Sequence, residues 1–408
     1  MARADHGAVA PESARHIAMV EAHSARNYAP LPVVVARGNG VWVEDVDGKR
    51  YLDMLSAYSA LNFGHGHVEI VSAFVDQAKT LALTSRAFHN DQFGPFCEEI
   101  TKLTGQDLVL PMNTGAEGVE TALKTARKWG YRVKGVEADK AEIIVCEGNF
   151  HGRTISIVSF SDDPQYRDGF GPFTPGFRLV PYGDLEALEK AITPNTVGFL
   201  VEPIQGEGGI VVPRPGYVEG AHALCREHRV LFMADEIQTG LGRTGKLFAC
   251  DHDDVRPDIL ILGKALGGGM MPVSAVLASR EILGVFEPGD HGSTFGGNPL
   301  ACAVARAAMR VLVRDRLSER ANQLGNAFMA RLRALDSPHV KEVRGRGLLI
   351  GIALKPEAGP AKAFAKKLMH EGVLCKDTVE SVLRIAPPLI IEQEELDWAY
   401  ERISRVLR

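Results

Sequence analysis

The stretch Asp258-Ile-Leu-Ile-Leu-Gly-Lys264-Ala-Leu-Gly-Gly-Gly269 decides how the chain is read. The apolar run 259–262 has the length and composition of a buried strand. It stops at Gly263, and a single lysine follows among small residues. An amine crowded in this way is poorly hydrated, which lowers its pKa and frees it to attack a carbonyl. A matching unit lies upstream, Val230-Leu-Phe-Met-Ala-Asp235-Glu236-Ile-Gln238. It reads as a second apolar strand, and it ends in an acid. Taken singly, a lysine after a strand is commonly a solvated loop residue, and an aspartate there a helix cap. Together, beside Gly-rich turns, they are what a pyridoxal 5'-phosphate (PLP) site needs. The lysine can hold an aldehyde as a Schiff base. The aspartate can keep a pyridine nitrogen protonated, so that the ring accepts electrons.

Outward from these two strands, residues 100–295 repeat a pattern of strand, Gly-rich loop and helix. Residues 108–110 lead into Pro111-Met-Asn-Thr114-Gly115-Ala116-Glu117. A helix follows, with Val119, Ala122, Leu123, Ala126 and Trp129 at helical spacing. Residues 143–146 lead into Gly148-Asn-Phe150-His151-Gly152-Arg153, and residues 197–201 into Glu202-Pro-Ile-Gln-Gly-Glu207. This alternation predicts an α/β fold with a mainly parallel sheet covered on both faces. Functional residues should then gather beyond the carboxyl ends of the strands, where each quoted motif lies. Two stretches suit a phosphate. Thr114-Gly115-Ala116 opens a helix, whose N-terminal N–H groups bind anions. Gly292-Ser293-Thr294-Phe295 is the other, and its plainer reading is a flexible turn.

At the amino end, Asn27-Tyr28-Ala-Pro30-Leu-Pro32 reads as an extended, proline-stiffened segment. Residues 40–53 read as a hairpin around Asp47-Gly48. A helix is expected after Gly64-His65-Gly66-His67. Asn298-Pro299 is a helix start, and a helix over roughly 299–313 leads into a second domain. Short strands are expected at 347–354 and 382–386.

Composition excludes several classes. The 408 residues suffice for two domains, and 45% hydrophobic with 24% charged content is that of a globular protein. A net charge of -5 gives no basis for nucleic acid or an anionic membrane as partner. Six scattered cysteines without a C-x-x-C pair read as free thiols. No apolar run reaches transmembrane length, and residues 1–26 lack the apolar core of a signal peptide. A cytoplasmic protein is expected. The two histidines of Gly64-His65-Gly66-His67 are too close together, and too short of partners, for a metal site. Lys124, Arg127 and Lys128 read as a solvated helix face.

The order Asn113-Thr-Gly115, Phe150-His-Gly-Arg153, Glu202-Pro-Ile-Gln-Gly-Glu207, Asp235-Glu-Ile-Gln238-Thr-Gly, Gly263-Lys264 and Ser293-Thr294-Phe-Gly-Gly-Asn-Pro resembles that of the class III PLP-dependent aminotransferases over nearly the whole chain. The resemblance implies PLP-dependent transferase fold type I. A large domain would hold a mainly parallel, seven-stranded-type sheet, joined to a smaller α+β domain. The implied division is residues 1–55 as a segment joining the small domain, 56–309 as the PLP domain and 310–408 as the small domain. It also implies roles. Lys264 carries the cofactor and shuttles the proton, Asp235 pairs with the pyridine nitrogen, Gln238 meets the phenolic oxygen and Phe150 stacks on the ring. Gly115 and Ala116 bind the phosphate, and Thr294 does so from the other subunit of a homodimer.

Within that class the chain is most similar to the ornithine aminotransferases. Asn27-Tyr28-Ala-Pro-Leu-Pro-Val, Leu55-Ser-Ala-Tyr58-Ser-Ala, Leu83-Thr-Ser-Arg-Ala-Phe88, Ala126-Arg-Lys-Trp-Gly-Tyr131 and Asp168-Gly-Phe-Gly-Pro-Phe173 carry this likeness. His151 departs from it, since animal ornithine enzymes resemble Phe-Trp-Gly-Arg there. The resemblance implies that Tyr28 and Tyr58 line a substrate channel. Ornithine must present its terminal amine, so its α-carboxylate has to be anchored far from the ring. Arg153 suits that task, with Tyr28 adding a hydrogen bond. The acceptor 2-oxoglutarate needs an arginine close by, which Arg384 supplies, and Glu207 would pair with Arg384 in one half-reaction and release it in the other. The alternatives are another ω-aminotransferase (for N-acetylornithine or 4-aminobutyrate), a PLP aminomutase and a non-catalytic binding protein.

Overall fold

Three strands lie near the amino end: β1 (Val35–Asn39), β2 (Trp42–Asp45) and β3 (Arg50–Asp53). The middle of the chain contributes β4 (Leu108–Met112), β5 (Glu142–Cys146), β6 (Phe177–Val180), β7 (Thr196–Val201), β8 (Leu231–Asp235), β9 (Ile259–Leu262) and β10 (Ser274–Ala278). The last part adds β11 (Val340–Arg346), β12 (Leu349–Leu354), β13 (Val373–Leu374), β14 (Lys376–Thr378) and β15 (Val382–Ile385). This computed structural model describes residues 9–408; the first eight residues, part of both the 1–55 segment and the stretch read for a signal peptide, lie outside the described residues.

The middle strands form one seven-stranded sheet in the order β4-β10-β9-β8-β7-β5-β6. Pairings from β6 through β9 are parallel, and β10 runs antiparallel to both of its neighbours. Strands β7 to β10 are buried at every position. Such continuous apolar runs are what a sheet covered on both faces requires. The helix Gly115–Trp129 buries Val119, Ala122, Leu123, Ala126 and Trp129, the face its spacing predicts. Thr114 caps it: the hydroxyl accepts from Glu117 N at 3.2 Å, and the Glu117 carboxylate accepts from Thr114 N at 2.7 Å.

Asn298 starts the helix Pro299–Arg314 as expected, its Oδ1 accepting from Ala301 N at 2.8 Å. Beyond it, β11, β12, β15 and β14 form an antiparallel sheet. The expected hairpin is the β2–β3 pair. Its turn is braced by Asp45 Oδ1, which accepts from Asp47 N at 3.0 Å and Lys49 N at 2.8 Å. β3 also pairs in parallel with β13, Leu52 opposite Val373, so the two ends of the chain share one sheet.

Four consecutive non-glycine residues, Ser56 to Ser59, have φ of 52°, 47°, 60° and 71°. A left-handed turn of L-residues costs about 1–2 kcal/mol per residue. Asp53 holds it, Oδ1 accepting from Leu55 N at 3.0 Å and Ser56 N at 2.8 Å. His65 Nε2 lies 2.9 Å from Asp53 Oδ2, so this histidine braces the same turn. No metal-binding cluster occurs among the described residues.

One expectation fails in part. Lys124 is exposed, yet its Nζ lies 2.8 Å from His291 Nδ1. Lys128 pairs with Asp290, and Arg127 Nη2 donates to Pro175 O at 2.8 Å. The face is a clamp on neighbouring loops, because the loop ending at His291 folds back over it.

Candidate active site

β8 and β9 are parallel neighbours, with Asp235 opposite Ile261. Asp235 and Lys264 therefore emerge at the same edge of the sheet. The Lys264 backbone is left-handed, with φ of 43°. A non-glycine residue there is strained by about 1–3 kcal/mol, held by the packed strand behind it. Burial lowers the Lys264 amine below its ordinary pKa; the Glu207 carboxylate pulls the other way without cancelling it.

These residues border a cleft of about 220 Å³, together with Ala116, Phe150, His151 and Gln238. Gly152 lets the 150–153 loop come this close. Its φ is 129°, and a side-chain carbon there would lie 3.0 Å from Ala116 Cβ.

Behind the cleft is a buried charge cluster. His151 Nδ1 lies 2.6 Å from Asp235 Oδ2, and Asp235 Oδ1 accepts from Ile237 N at 3.1 Å. Burial opposes charge on His151, but its bond to Asp235 outweighs this and raises its pKa. Glu202 accepts from Phe150 N at 3.0 Å and Gly206 N at 3.1 Å. Burial pushes its carboxyl up to about 7, against the pull of His151. One carboxylate thus ties together the Phe150 loop and the loop carrying Glu207.

On the open side of Lys264, Arg384 donates to both oxygens of Glu207, at 2.5 and 2.6 Å. Arg384 is fully buried. Burial alone would raise the Glu207 carboxyl, but Arg384 holds it below the ordinary carboxylate range. Gln238 Nε2 donates to the same Glu207 at 3.4 Å. The left-handed turn brings the Tyr58 ring to 5.2 Å from the Arg384 guanidinium. Tyr58 is half-buried, and burial raises its pKa.

Arg153 is exposed and makes no hydrogen bond or ion pair among the described residues. Its guanidinium sits 4.0 Å from the Tyr166 ring centroid and 5.7 Å from that of Phe150. Tyr28 is 75% exposed, and Thr294 is exposed at the opposite rim. The structure thus gathers Gly115, Ala116, Phe150, Asp235, Gln238 and Lys264 around one cleft and pairs Glu207 with Arg384. Tyr28, Arg153 and Thr294 stand at its margins. His151, Glu202 and Tyr166 are additions. The first two lie inside motifs already quoted, while nothing in the sequence around Tyr166 marks it.

The donor set fits PLP. N–H groups in the first turn of the Gly115–Trp129 helix have no intrahelical partner and can face a phosphate. Asp235 offers a buried carboxylate, and Phe150 a flat face. His151 Nε2 and Gln238 Oε1 are buried without hydrogen-bond partners among the described residues. Such atoms await a polar group.

A large sheet with a strained lysine and a buried aspartate at one edge defines a class, and the chain belongs to it: residues 23–407 match the family described as Aminotransferase class-III. An ornithine aminotransferase from Geobacillus sp. (strain WCH70) is 60% identical over 390 residues, which cover 96% of this chain and 97% of the relative. The structure is similar to that of an ornithine aminotransferase from Toxoplasma gondii, crystallised with oxidised glutathione and with PLP at partial occupancy in its active site. The TM-score is 0.96 and the identity 48%, covering 97% of this chain and 94% of the other. An acetylornithine aminotransferase from Elizabethkingia anophelis is also similar, with TM-score 0.88 and 50% identity over 97% of this chain and 98% of the other.

Proposed function

We propose that this chain transfers the terminal amine of L-ornithine to 2-oxoglutarate with PLP as cofactor. The products are glutamate 5-semialdehyde, which closes on its own to pyrroline-5-carboxylate, and L-glutamate. The observation that carries this reading is the Glu207–Arg384 pair beside the Lys264 amine. An α-amine donor would need a free arginine next to the lysine. Here that arginine is engaged, and the unengaged one is Arg153.

PLP, when bound, supplies an aldehyde for the amine and a ring that accepts electrons. Gly115 and Ala116 bind its phosphate, Phe150 stacks on its ring and Gln238 meets its phenolic oxygen. Asp235, braced by His151, holds the proton on the ring nitrogen. Lys264 carries the cofactor, and once displaced its desolvated Nζ moves a proton at the substrate carbon. Arg153 and Tyr28 hold the ornithine α-carboxylate, and Tyr58 lines the channel. Glu207 keeps Arg384 from drawing that carboxylate to the wrong end. In the second half-reaction Glu207 releases Arg384 to the α-carboxylate of 2-oxoglutarate, and Arg153 takes the far one.

A homodimer, with Thr294 of one copy reaching the phosphate of the other, is part of the proposal. Phe295 beside Thr294 is 54% exposed, and Val68 and Phe88 are 81% and 73% exposed, which suits an apolar contact between copies. The division into 1–55, 56–309 and 310–408 is also proposed, supported by the β3–β13 pairing. Among the described residues no helix is long and apolar enough to cross a membrane. A cytoplasmic role in arginine breakdown or proline synthesis suits the chemistry.

The similarity to an acetylornithine enzyme makes N-acetylornithine the rival donor. Single-turnover amine transfer should be at least about tenfold faster with ornithine than with N-acetylornithine or 4-aminobutyrate, a gap of one charge-assisted hydrogen bond. Equal rates would overturn the assignment.

A further inference from the structure

Arg153 carries a full charge and five N–H donors, yet among the described residues no carboxylate, carbonyl or hydroxyl engages it. A long exposed side chain in that state should sample many rotamers, at a cost in affinity when a ligand fixes it. What touches the guanidinium is aromatic: the Tyr166 ring at 4.0 Å and, farther off, Phe150 at 5.7 Å. The two rings meet edge to face, 5.9 Å apart at 74°.

The Tyr166 ring is itself fixed from below. It sits on the short turn Pro164–Arg167, whose first N–H groups are capped by Asp163, Oδ1 accepting from Gln165 N at 2.8 Å. The neighbouring Arg167 donates to Ser159 O at 2.6 Å and stacks on Phe173 at 4.0 Å. Phe150, at the other end, is held through its N–H by buried Glu202. The Tyr166 hydroxyl makes no hydrogen bond among the described residues, so the ring face is the part in use.

We propose that Tyr166 is a positioning residue for substrate selection: its ring face pre-sets the Arg153 guanidinium, with all its donors free, to receive the carboxylate at the far end of the amine donor. A cation over an aromatic ring keeps its N–H groups in the ring plane direction available, whereas a salt bridge would consume them. The proposal rests on Arg153 being the carboxylate receptor, as in the assignment above.

The test uses the PLP-loaded enzyme and two donors, ornithine and 1,4-diaminobutane, which is ornithine without its carboxylate. The readout is the ratio of their kcat/KM values, with KM and kcat resolved for ornithine. Tyr166→Leu should lower the ratio roughly tenfold, through KM, within the range of a cation–aromatic contact. Tyr166→Phe, which keeps the ring, should recover it to within about threefold. A fall in kcat/KM of the same size for both donors would make Tyr166 merely structural and overturn the proposal. So would a Phe variant as impaired as the Leu variant, since the hydroxyl would then be the active part. Arg153→Met tests the foundation. If it leaves the ratio untouched while ornithine remains the preferred donor over N-acetylornithine, the receptor role of Arg153 fails but the donor assignment stands.

Discussion

Two guanidinium groups flank the cleft, and they are kept in opposite ways. Arg384 is fully buried and neutralised by both oxygens of Glu207. Arg153 is exposed, unpaired among the described residues and laid on aromatic rings. A buried charge cannot be left bare, because desolvation would cost several kcal/mol. An exposed one can, because water solvates it until a ligand arrives. The difference is the difference between a site that must be unlocked and a site that is always open.

The sharpest way to break the contrast is Glu207→Ala. It strands Arg384, and losing one partner of a buried pair costs about 3 kcal/mol; chemical denaturation would measure it. The same pair has a pH signature. The folded Glu207 carboxyl lies below its ordinary value. Its contribution to stability is therefore complete above the unfolded carboxylate pKa and is lost as pH falls through the lowered folded value. The wild-type advantage over Glu207→Ala should shrink in that acid window, and a difference that persists unchanged below it would contradict the pair's role.

Arg153→Met should do the reverse. Folding stability should shift by no more than about 0.5 kcal/mol, since no protein partner is lost. Ornithine kcat/KM should nonetheless fall about a hundredfold, the size of a bidentate charge-assisted contact. A comparable loss of stability would mean that Arg153 has a structural duty.

The smallest effect separates the two aromatic neighbours. Tyr58 faces an arginine already fixed by Glu207. Tyr58→Leu should raise the KM for 2-oxoglutarate only about twofold, the low end of a cation–aromatic contact. A tenfold rise would place Tyr58 on the same footing as Tyr166.

Much of this was legible before any coordinates. The strands ending at Asp235 and Leu262, the helix opening at Gly115 and the hairpin at Asp47-Gly48 each carry a local signal, either an unbroken apolar run or a turn residue. The direction of β10 is not such a signal. Ser274-Ala-Val-Leu-Ala278 is apolar throughout, and only its pairing with β4 and β9 decides that it runs antiparallel. The same holds at the site. Lys264, Asp235 and Arg384 stand in marked motifs. Tyr166 sits in an unremarkable loop and becomes relevant only because folding places its ring under Arg153. The basic residues of the Gly115–Trp129 helix show the converse, since their partner Asp290 is 162 residues distant from Lys128.

The parallel contact between β3 and β13 has a bearing on biosynthesis. Leu52 leaves the ribosome about 320 residues ahead of the strand it must join. At ordinary translation speeds that interval is on the order of half a minute. Throughout it, the nascent amino-terminal hairpin presents an unfilled edge that chaperones or stray strands can occupy. A message cut short before codon 373 would therefore yield a product unfinished at both its ends.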